Sequence, residues 1–264
     1  MQIIDSIETL RNTLKPFAAS GKTIGLVPTM GALHEGHGAL IKASVKDCDI
    51  TVVSVFLNPI QFGKNEDLDK YPKRLEADAK LAESLGADFV FAPSVSEMYP
   101  AGDPLTMVRD ETLESLYCGA YRPGHFRGVL TVVSKLFLIE RMVKDLNFDI
   151  EIKRVPIVRE KSGLALSSRN EYLSEEERTQ ALGISKGLAD AKAAFVAGEK
   201  GVAKLRDIVV KSILLNRGQV QFVEVVNQKD LQKFSGVLKA SDKAVILVAA
   251  FFGKTRLIDN IELN

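Results

Sequence analysis

Apolar and polar residues follow two rhythms along the first half of this chain. Unbroken apolar runs at Thr23 to Val27, Ile50 to Leu57 and Asp88 to Ala92 predict short buried strands. Between them, Ile7 to Ala18, His37 to Lys46 and Leu75 to Leu85 repeat their apolar residues at helical spacing and predict helices. Such alternation is the pattern of an α/β protein with a Rossmann-like, doubly wound parallel sheet. From Ser174 the texture changes. Ser174 and Glu177 have the spacing of a capping box, ahead of a long Ala-rich helix running to about Gly198. A second helix to about Asn216 follows, and then strands at Val220 to Val226 and Ala244 to Phe252. This predicts a smaller C-terminal α+β domain, with the boundary between Val155 and Ser174; we place the domains at 1–160 and 161–264. No internal repeat and no low-complexity segment is visible.

Composition narrows the partners. The chain has 264 residues, 46% of them hydrophobic, which is enough for one large domain or for a large and a small one. A formal net charge of +1 gives no reason to expect nucleic acid or a charged membrane surface, so small molecules are the expected partners. Cys48 and Cys118 match neither metal nor disulfide spacing, which makes a reducing cytoplasm the default. Asp5, Glu8, Arg11 and Lys15 stand where a signal peptide would be apolar. The longest apolar run, Ala244 to Phe252, is half a membrane span.

Four segments carry candidate chemistry. In Val27-Pro-Thr-Met-Gly-Ala-Leu-His-Glu-Gly-His37, Pro28 is expected to stop a strand, and Gly31 and Gly36 to let the backbone approach a ligand before a helix begins. His34 and His37 lie three apart, so one helical turn aims both imidazoles at one point beside a helix N-terminus that attracts anions. The plainer reading is two surface histidines satisfying local hydrogen bonds. In Ser54-Val-Phe-Leu-Asn-Pro-Ile-Gln-Phe-Gly63 a buried strand ends in two amides, Asn58 and Gln61, at the sheet edge where ligands lie in open α/β folds. Alone, beside Pro59, they read more readily as turn formers. Tyr121-Arg-Pro-Gly-His-Phe-Arg-Gly-Val129 sets Arg122, His125 and Arg127 around a turn that could cover an anionic ligand and move to admit it, or simply be solvated. Gly163-Leu-Ala-Leu-Ser-Ser-Arg-Asn170 gathers two hydroxyls and a guanidinium, a set suited to a departing pyrophosphate; its plainer reading is a helix cap with a surface arginine.

H-x-G-H after a strand and a Gly-containing loop resembles the nucleotidylyltransferase superfamily, and the longer P-T-M-G-A-L-H-E-G-H resembles the pantothenate synthetase family. N-P-x-Q-F, R-P-G-H-F-R-G and G-L-A-x-S-S-R-N recur in that family in the same order. The resemblance implies an ATP-dependent ligase that condenses pantoate with β-alanine through a pantoyl adenylate, releasing AMP and pyrophosphate. It implies that Met30, Gly31, Ala32, Leu33, His34, Glu35, Gly36 and His37 bind ATP together with Val158, Leu166, Ser167, Ser168 and Arg169. Of these, His34, His37 and Arg169 are the expected catalytic donors. Asn58, Gln61, Tyr71, Arg122 and His125 are expected at the substrates, although Tyr71 could equally be packing. Mg²⁺ is expected on the phosphates, with Asp78 as a guess at a protein ligand, and a homodimer is expected with the C-terminal domain closing over the site.

One departure from the pattern matters. Family members continue after the equivalent of Lys135-Leu-Phe137 with a turn, a strand and a G-E-K-D-x-Q-Q loop, whereas here Phe137 runs directly into Leu138-Ile-Glu-Arg-Met-Val143. About twenty residues are absent, including the family's ATP-binding Lys and Asp and a pantoate-binding Gln. Either the protein as made carries further residues here, or a deletion removes a central strand. The first is favoured, because losing an interior strand leaves backbone groups unpaired at roughly 1 to 3 kcal/mol each. Total stability is typically only about 5 to 15 kcal/mol. H-x-G-H alone also allows a nucleotidyltransferase that leaves the nucleotide on its product, and a true deletion would allow an inactive nucleotide-binding protein.

Overall fold

The structure is a computed structural model describing residues 1–64, 66–102, 107–136 and 150–263. It divides into two compact units, Met1–Pro156 and Ile157–Asn264.

In the first unit the order is β1 (Gln2–Ile4), α1 (Ile7–Ala19), β2 (Ile24–Thr29), α2 (Glu35–Asp47), β3 (Ile50–Val55), α3 (Leu75–Ser84), β4 (Phe89–Phe91), then the short α4 (Val95–Met98), α5 (Glu111–Ser115) and α6 (Cys118–Tyr121), and α7 (His125–Leu136). The four strands form one parallel sheet in the order β1-β4-β3-β2. β3 lies between two neighbours with both faces covered, which is why Ile-Thr-Val-Val-Ser-Val shows no polar alternation. Its successive side chains serve opposite layers. Val52 joins Ile4, Phe56, Phe91, Met98 and Tyr99, while Val53 joins Val27, Ile41, Ala79, Ala82 and Val90.

Pro28 does not stop β2. The strand continues through it to Thr29, because β2 is the last strand of the sheet among the described residues and Pro28 is exposed, so the missing N–H breaks no ladder there. β1, a three-residue strand, is a further element that the sequence pattern does not predict.

The register fixes where the site lies. Thr29 at the end of β2 pairs with Val55 at the end of β3, so the loop after one strand and the turn after the other leave the same sheet edge side by side. Thr29 ties them together: its hydroxyl donates to the Ser54 carbonyl at 2.7 Å and accepts from the Gly31 N–H at 3.1 Å.

The second unit holds α8 (Glu175–Val196), α9 (Val202–Leu215), β5 (Gln219–Asn227), β6 (Ala244–Phe252) and β7 (Thr255–Glu262). The strands form an antiparallel sheet in the order β5-β6-β7. Ser174 caps α8 with the expected box: its hydroxyl accepts from Glu177 N–H at 3.2 Å, and the Glu177 carboxylate accepts from Ser174 N–H at 2.9 Å. Ile184 and Leu188 of α8 and Leu205, Val209 and Ile213 of α9 share a core with Ile246 and Phe252 of β6. The sequence pattern does not predict β7. Its Asp259 is buried, and the Arg159 guanidinium holds it in a two-pronged pair at 2.6 and 3.0 Å. The junction of Phe137 and Leu138 lies outside the described residues. Among those described, no helix is long and apolar enough to cross a membrane.

Candidate active site

After β2 the chain turns through two consecutive left-handed residues, Gly31 at φ +84° and Ala32 at φ +51°. Gly31 needs its freedom twice over, since a Cβ there would lie 3.1 Å from Asp78 Oδ2 and 3.1 Å from Val55 Cγ1. Ala32 bears a left-handed cost of about 1–2 kcal/mol. Asp78, from the first turn of α3 and 3% exposed, offsets it: Oδ2 accepts from Ala32 N–H at 2.9 Å and Oδ1 from Leu33 N–H at 2.7 Å. Asp78 is therefore not the open carboxylate expected as a Mg²⁺ ligand. Both its oxygens hold the loop in shape.

His34 is the N-cap of α2 and His37 its third residue. His34 Nδ1 accepts from Gly36 N–H at 3.1 Å, and His37 Nδ1 accepts from His34 N–H at 3.3 Å. The rings lie 4.1 Å apart between centroids. Because each Nδ1 is an acceptor, each neutral ring carries its proton on Nε2. Burial lowers the pKa of His34. Burial, and then the neighbouring His34, lower that of His37 to about 4. The pair thus offers two Nε2–H donors at neutral pH without positive charge. One of the helix-terminal N–H groups expected to face an anion, that of Gly36, is taken by His34.

The turn after β3 corrects one expectation. Asn58 is 1% exposed, and its side chain faces protein rather than ligand. Its Nδ2 donates to Gln61 Oε1 at 2.9 Å and to the Gly128 carbonyl at 3.2 Å, while Oδ1 accepts from the Tyr99 hydroxyl at 2.8 Å. Gln61 Nε2 reaches Met30 Sδ at 2.9 Å, so the amide stands against the loop that carries the histidines. Tyr71 is buried, with its ring edge-on to Phe62.

The R-P-G-H-F-R-G segment is a clamp on that turn rather than an open cationic cover. His125 Nδ1 is 2.8 Å from the Gln61 carbonyl, and its Nε2 is 2.8 Å from Arg122 Nη1. Since Arg122 can only donate, His125 must donate from Nδ1 to Gln61. The rest of the Arg122 guanidinium forms a forked pair with Glu66, Nε to Oε1 at 2.6 Å and Nη2 to Oε2. Burial pushes the Glu66 carboxyl up, but the Arg122 hydrogen bond and charge outweigh it and leave the group below its ordinary range. Arg127 pairs with Glu114 at 3.1 and 3.3 Å. Gly128 seats α7 on the turn: a Cβ there would lie 2.4 Å from the Ile60 carbonyl and 2.6 Å from Gln61 Cα.

In the second unit, Leu166 N–H donates to the Val158 carbonyl at 3.0 Å, next to a bridge between Arg159 and Ala165, so the two stretches expected at the nucleotide are adjacent there. Ser167 caps a 3₁₀ turn over Ser168–Tyr172 and accepts from Arg169 N–H at 3.2 Å. Asn170 secures the turn by donating to Glu160 Oε1 at 3.1 Å and the Ala165 carbonyl at 3.0 Å; Arg178 of α8 donates to the same Glu160 oxygen at 2.6 Å.

Sequence reading missed Tyr99, Glu66, Glu160 and Arg178. All four are partners at long sequence range; Glu66 stands in Asn65-Glu-Asp-Leu-Asp-Lys-Tyr-Pro-Lys73, a segment that resembles the family but drew attention only to Tyr71.

Comparison with known proteins decides the family. The pantoate-beta-alanine ligase family model matches residues 2–140 and 137–262. The chain belongs to the pantoate–β-alanine ligase family. It is 46% identical to a pantothenate synthetase of Thermoanaerobacter pseudethanolicus over 99% of this chain and 98% of that protein. It is 44% identical to that of Fervidobacterium nodosum over the full length of both. The crystal structure of the Thermus thermophilus pantothenate synthetase superposes with a TM-score of 0.91 at 37% identity, covering 100% and 99% of the two chains. That of a Francisella tularensis pantoate-beta-alanine ligase complexed with beta-gamma ATP and beta-alanine superposes with a TM-score of 0.77 at 32% identity, covering 100% and 98%. The alignment with the Thermoanaerobacter protein runs over 284 positions while this chain has 264 residues, so at least 20 of those positions have no residue here. The two stretches matched by the family model meet at residues 137–140, the place where the sequence departs from the family pattern.

Proposed function

We propose that this ligase works by adenylation followed by amide formation, with its residues acting as positioned donors rather than nucleophiles. A pantoate carboxylate oxygen attacks the α-phosphorus of ATP, the bond to the bridging oxygen of pyrophosphate breaks, and pantoyl adenylate results. The β-alanine amine then attacks the activated carbonyl, AMP departs, and the nitrogen loses a proton. Both steps need groups held in place and developing negative charge met by donors.

The observation that carries this reading is the histidine pair. Two neutral imidazoles with Nδ1 fixed by backbone N–H groups have their remaining protons on Nε2, and we assign these to the phosphate oxygens. Met30, Gly31, Ala32, Leu33, Glu35 and Gly36 would meet the nucleotide mainly through backbone. Gln61 would bind pantoate with Asn58 behind it, and Arg122, His125 and Tyr71 would support that region. We assign Ser167, Ser168 and Arg169, with Val158 and Leu166 along the nucleotide, to the leaving pyrophosphate.

Mg²⁺ would screen the phosphate charge. Among the described residues no group of three or more His, Cys, Asp or Glu could hold a metal, and Asp78 is committed to the loop, so these residues do not build a protein site. An ion carried by phosphate and water is the form we propose. A homodimer in the cytoplasm completes the reading: the dimer follows from the family resemblance, and the compartment is the default for a chain whose Cys48 and Cys118 match no metal or disulfide spacing.

Isotope exchange tests the reaction order. Pyrophosphate should exchange into ATP when pantoate is present and β-alanine absent, and carboxylate oxygen label should pass from pantoate into AMP; failure of both would exclude the adenylate.

A further inference from the structure

We propose that Tyr99 is a positioning residue which, through Asn58, fixes the Gln61 amide with its NH₂ end toward the acid substrate. Hydrogen-bond polarity fixes each amide in turn. The Gly128 carbonyl can only accept, so the Asn58 group 3.2 Å from it is the NH₂. The other end of Asn58 is then a carbonyl in a side chain 1% exposed, and the Tyr99 hydroxyl at 2.8 Å supplies its donor. With Asn58 so set, its second N–H points to Gln61 Oε1 at 2.9 Å and uses the carbonyl end of that amide inside the protein. Nε2 is left as the end facing the loop, next to Met30 Sδ, which is a weak acceptor and takes at most one of its two hydrogens.

Tyr99 is suited to this role. It follows α4 directly, is 5% exposed, and packs on Phe56, two residues before Asn58, with centroids 6.1 Å apart. Burial pushes its pKa up to about 12, so its hydroxyl remains a donor throughout the working pH range. The consequence is selectivity: the ligand group at Gln61 must be an acceptor oxygen, as a carboxylate or hydroxyl provides, rather than an amide N–H. This rests on the assignment of Gln61 to pantoate made above.

Calorimetric titration of the full chain with pantoate, with its carboxamide analogue and separately with ATP tests both. Gln61→Ala should weaken pantoate. Tyr99→Phe should weaken pantoate about tenfold, the scale of one hydrogen bond, narrow the preference for pantoate over the carboxamide, and leave ATP within about twofold. If Gln61→Ala leaves pantoate binding unchanged, the assignment of Gln61 falls and the role of Tyr99 with it. If Gln61→Ala weakens pantoate but Tyr99→Phe does not, or weakens ATP as much, the role of Tyr99 alone is overturned. Should Tyr99→Phe fail to fold, Asn58→Asp decides: it keeps an acceptor for Tyr99 but removes the NH₂ that fixes Gln61. Pantoate should then weaken by about tenfold or more while ATP binding persists, and unchanged pantoate affinity would overturn the proposal.

Discussion

A histidine whose Nδ1 accepts a backbone N–H has one proton to give, and its direction is fixed by the fold. His34 and His37 share this arrangement, one as the cap of α2 and the other one turn along, so losing either ring removes a donor and also a cap contact. His34→Ala or His37→Ala should slow adenylate formation by about 10²-fold or more, the scale of losing one preorganised donor. Single-turnover rates within a few-fold of the parent would refute that role. Burial of the pair, and for His37 the neighbouring His34, sets a pH dependence. The folded pKa of His37, about 4, lies below its unfolded value of 6.5, so between those limits the unfolded chain binds more protons. Its contribution is complete above pH 6.5, declines as pH falls through that window and is exhausted below about 4; His34, also lowered, acts in the same direction. Urea midpoints measured from pH 7.5 to 4.5 should therefore fall less in His37→Gln than in the parent chain.

At the scale of elements, the decisive join is α7 on the turn after β3. Gly128 leaves no room for a Cβ against the backbone of Ile60 and Gln61, neither of which is a flexible side-chain end that can move aside. Gly128→Ala should cost about 1–3 kcal/mol in urea unfolding, as overpacking does, and should weaken pantoate more than ATP because the displaced group is Gln61. This join also shows what a sequence can disclose. The strands β2, β3 and β4 and the helices α1, α2 and α3 were legible because each carries its own periodicity. The Ser174 cap and strand β6 were legible for the same local reason. β1 is too short to show a period, and β7 hides its alternation behind Asp259, a buried charge whose partner Arg159 lies 100 residues away. In the site, the motif residues could be named in advance, but their direction could not. Asn58 faces inward, Arg122 is paired with Glu66 and Asp78 backs the loop, because each is decided by a partner that local spacing does not reveal.

For the whole molecule the open question is the step at residues 137–138. A relative matching 99% of this chain has at least 20 aligned positions without counterpart here, and the stretches matched by the family model meet at 137–140. β2, the strand bearing the histidine loop, is the last of its sheet among the described residues. In a parallel sheet covered on both faces, a central strand and the loop beyond it would belong beside such an edge. The family pattern puts a strand and a loop with an ATP-binding cation in the sequence at this place. Deleting them would cost roughly 1–3 kcal/mol for each backbone group left buried and unpaired, and would remove a charge from the nucleotide. We therefore expect the purified protein to weigh about 2 kDa more than 28.9 kDa, the mass of twenty residues at this chain's own average, and to ligate pantoate and β-alanine. A chain of 28.9 kDa should fold poorly and form no pantothenate. Intact-mass spectrometry on the preparation used for the ligation assay separates the cases, and full activity at the lower mass would show that the absent loop is dispensable.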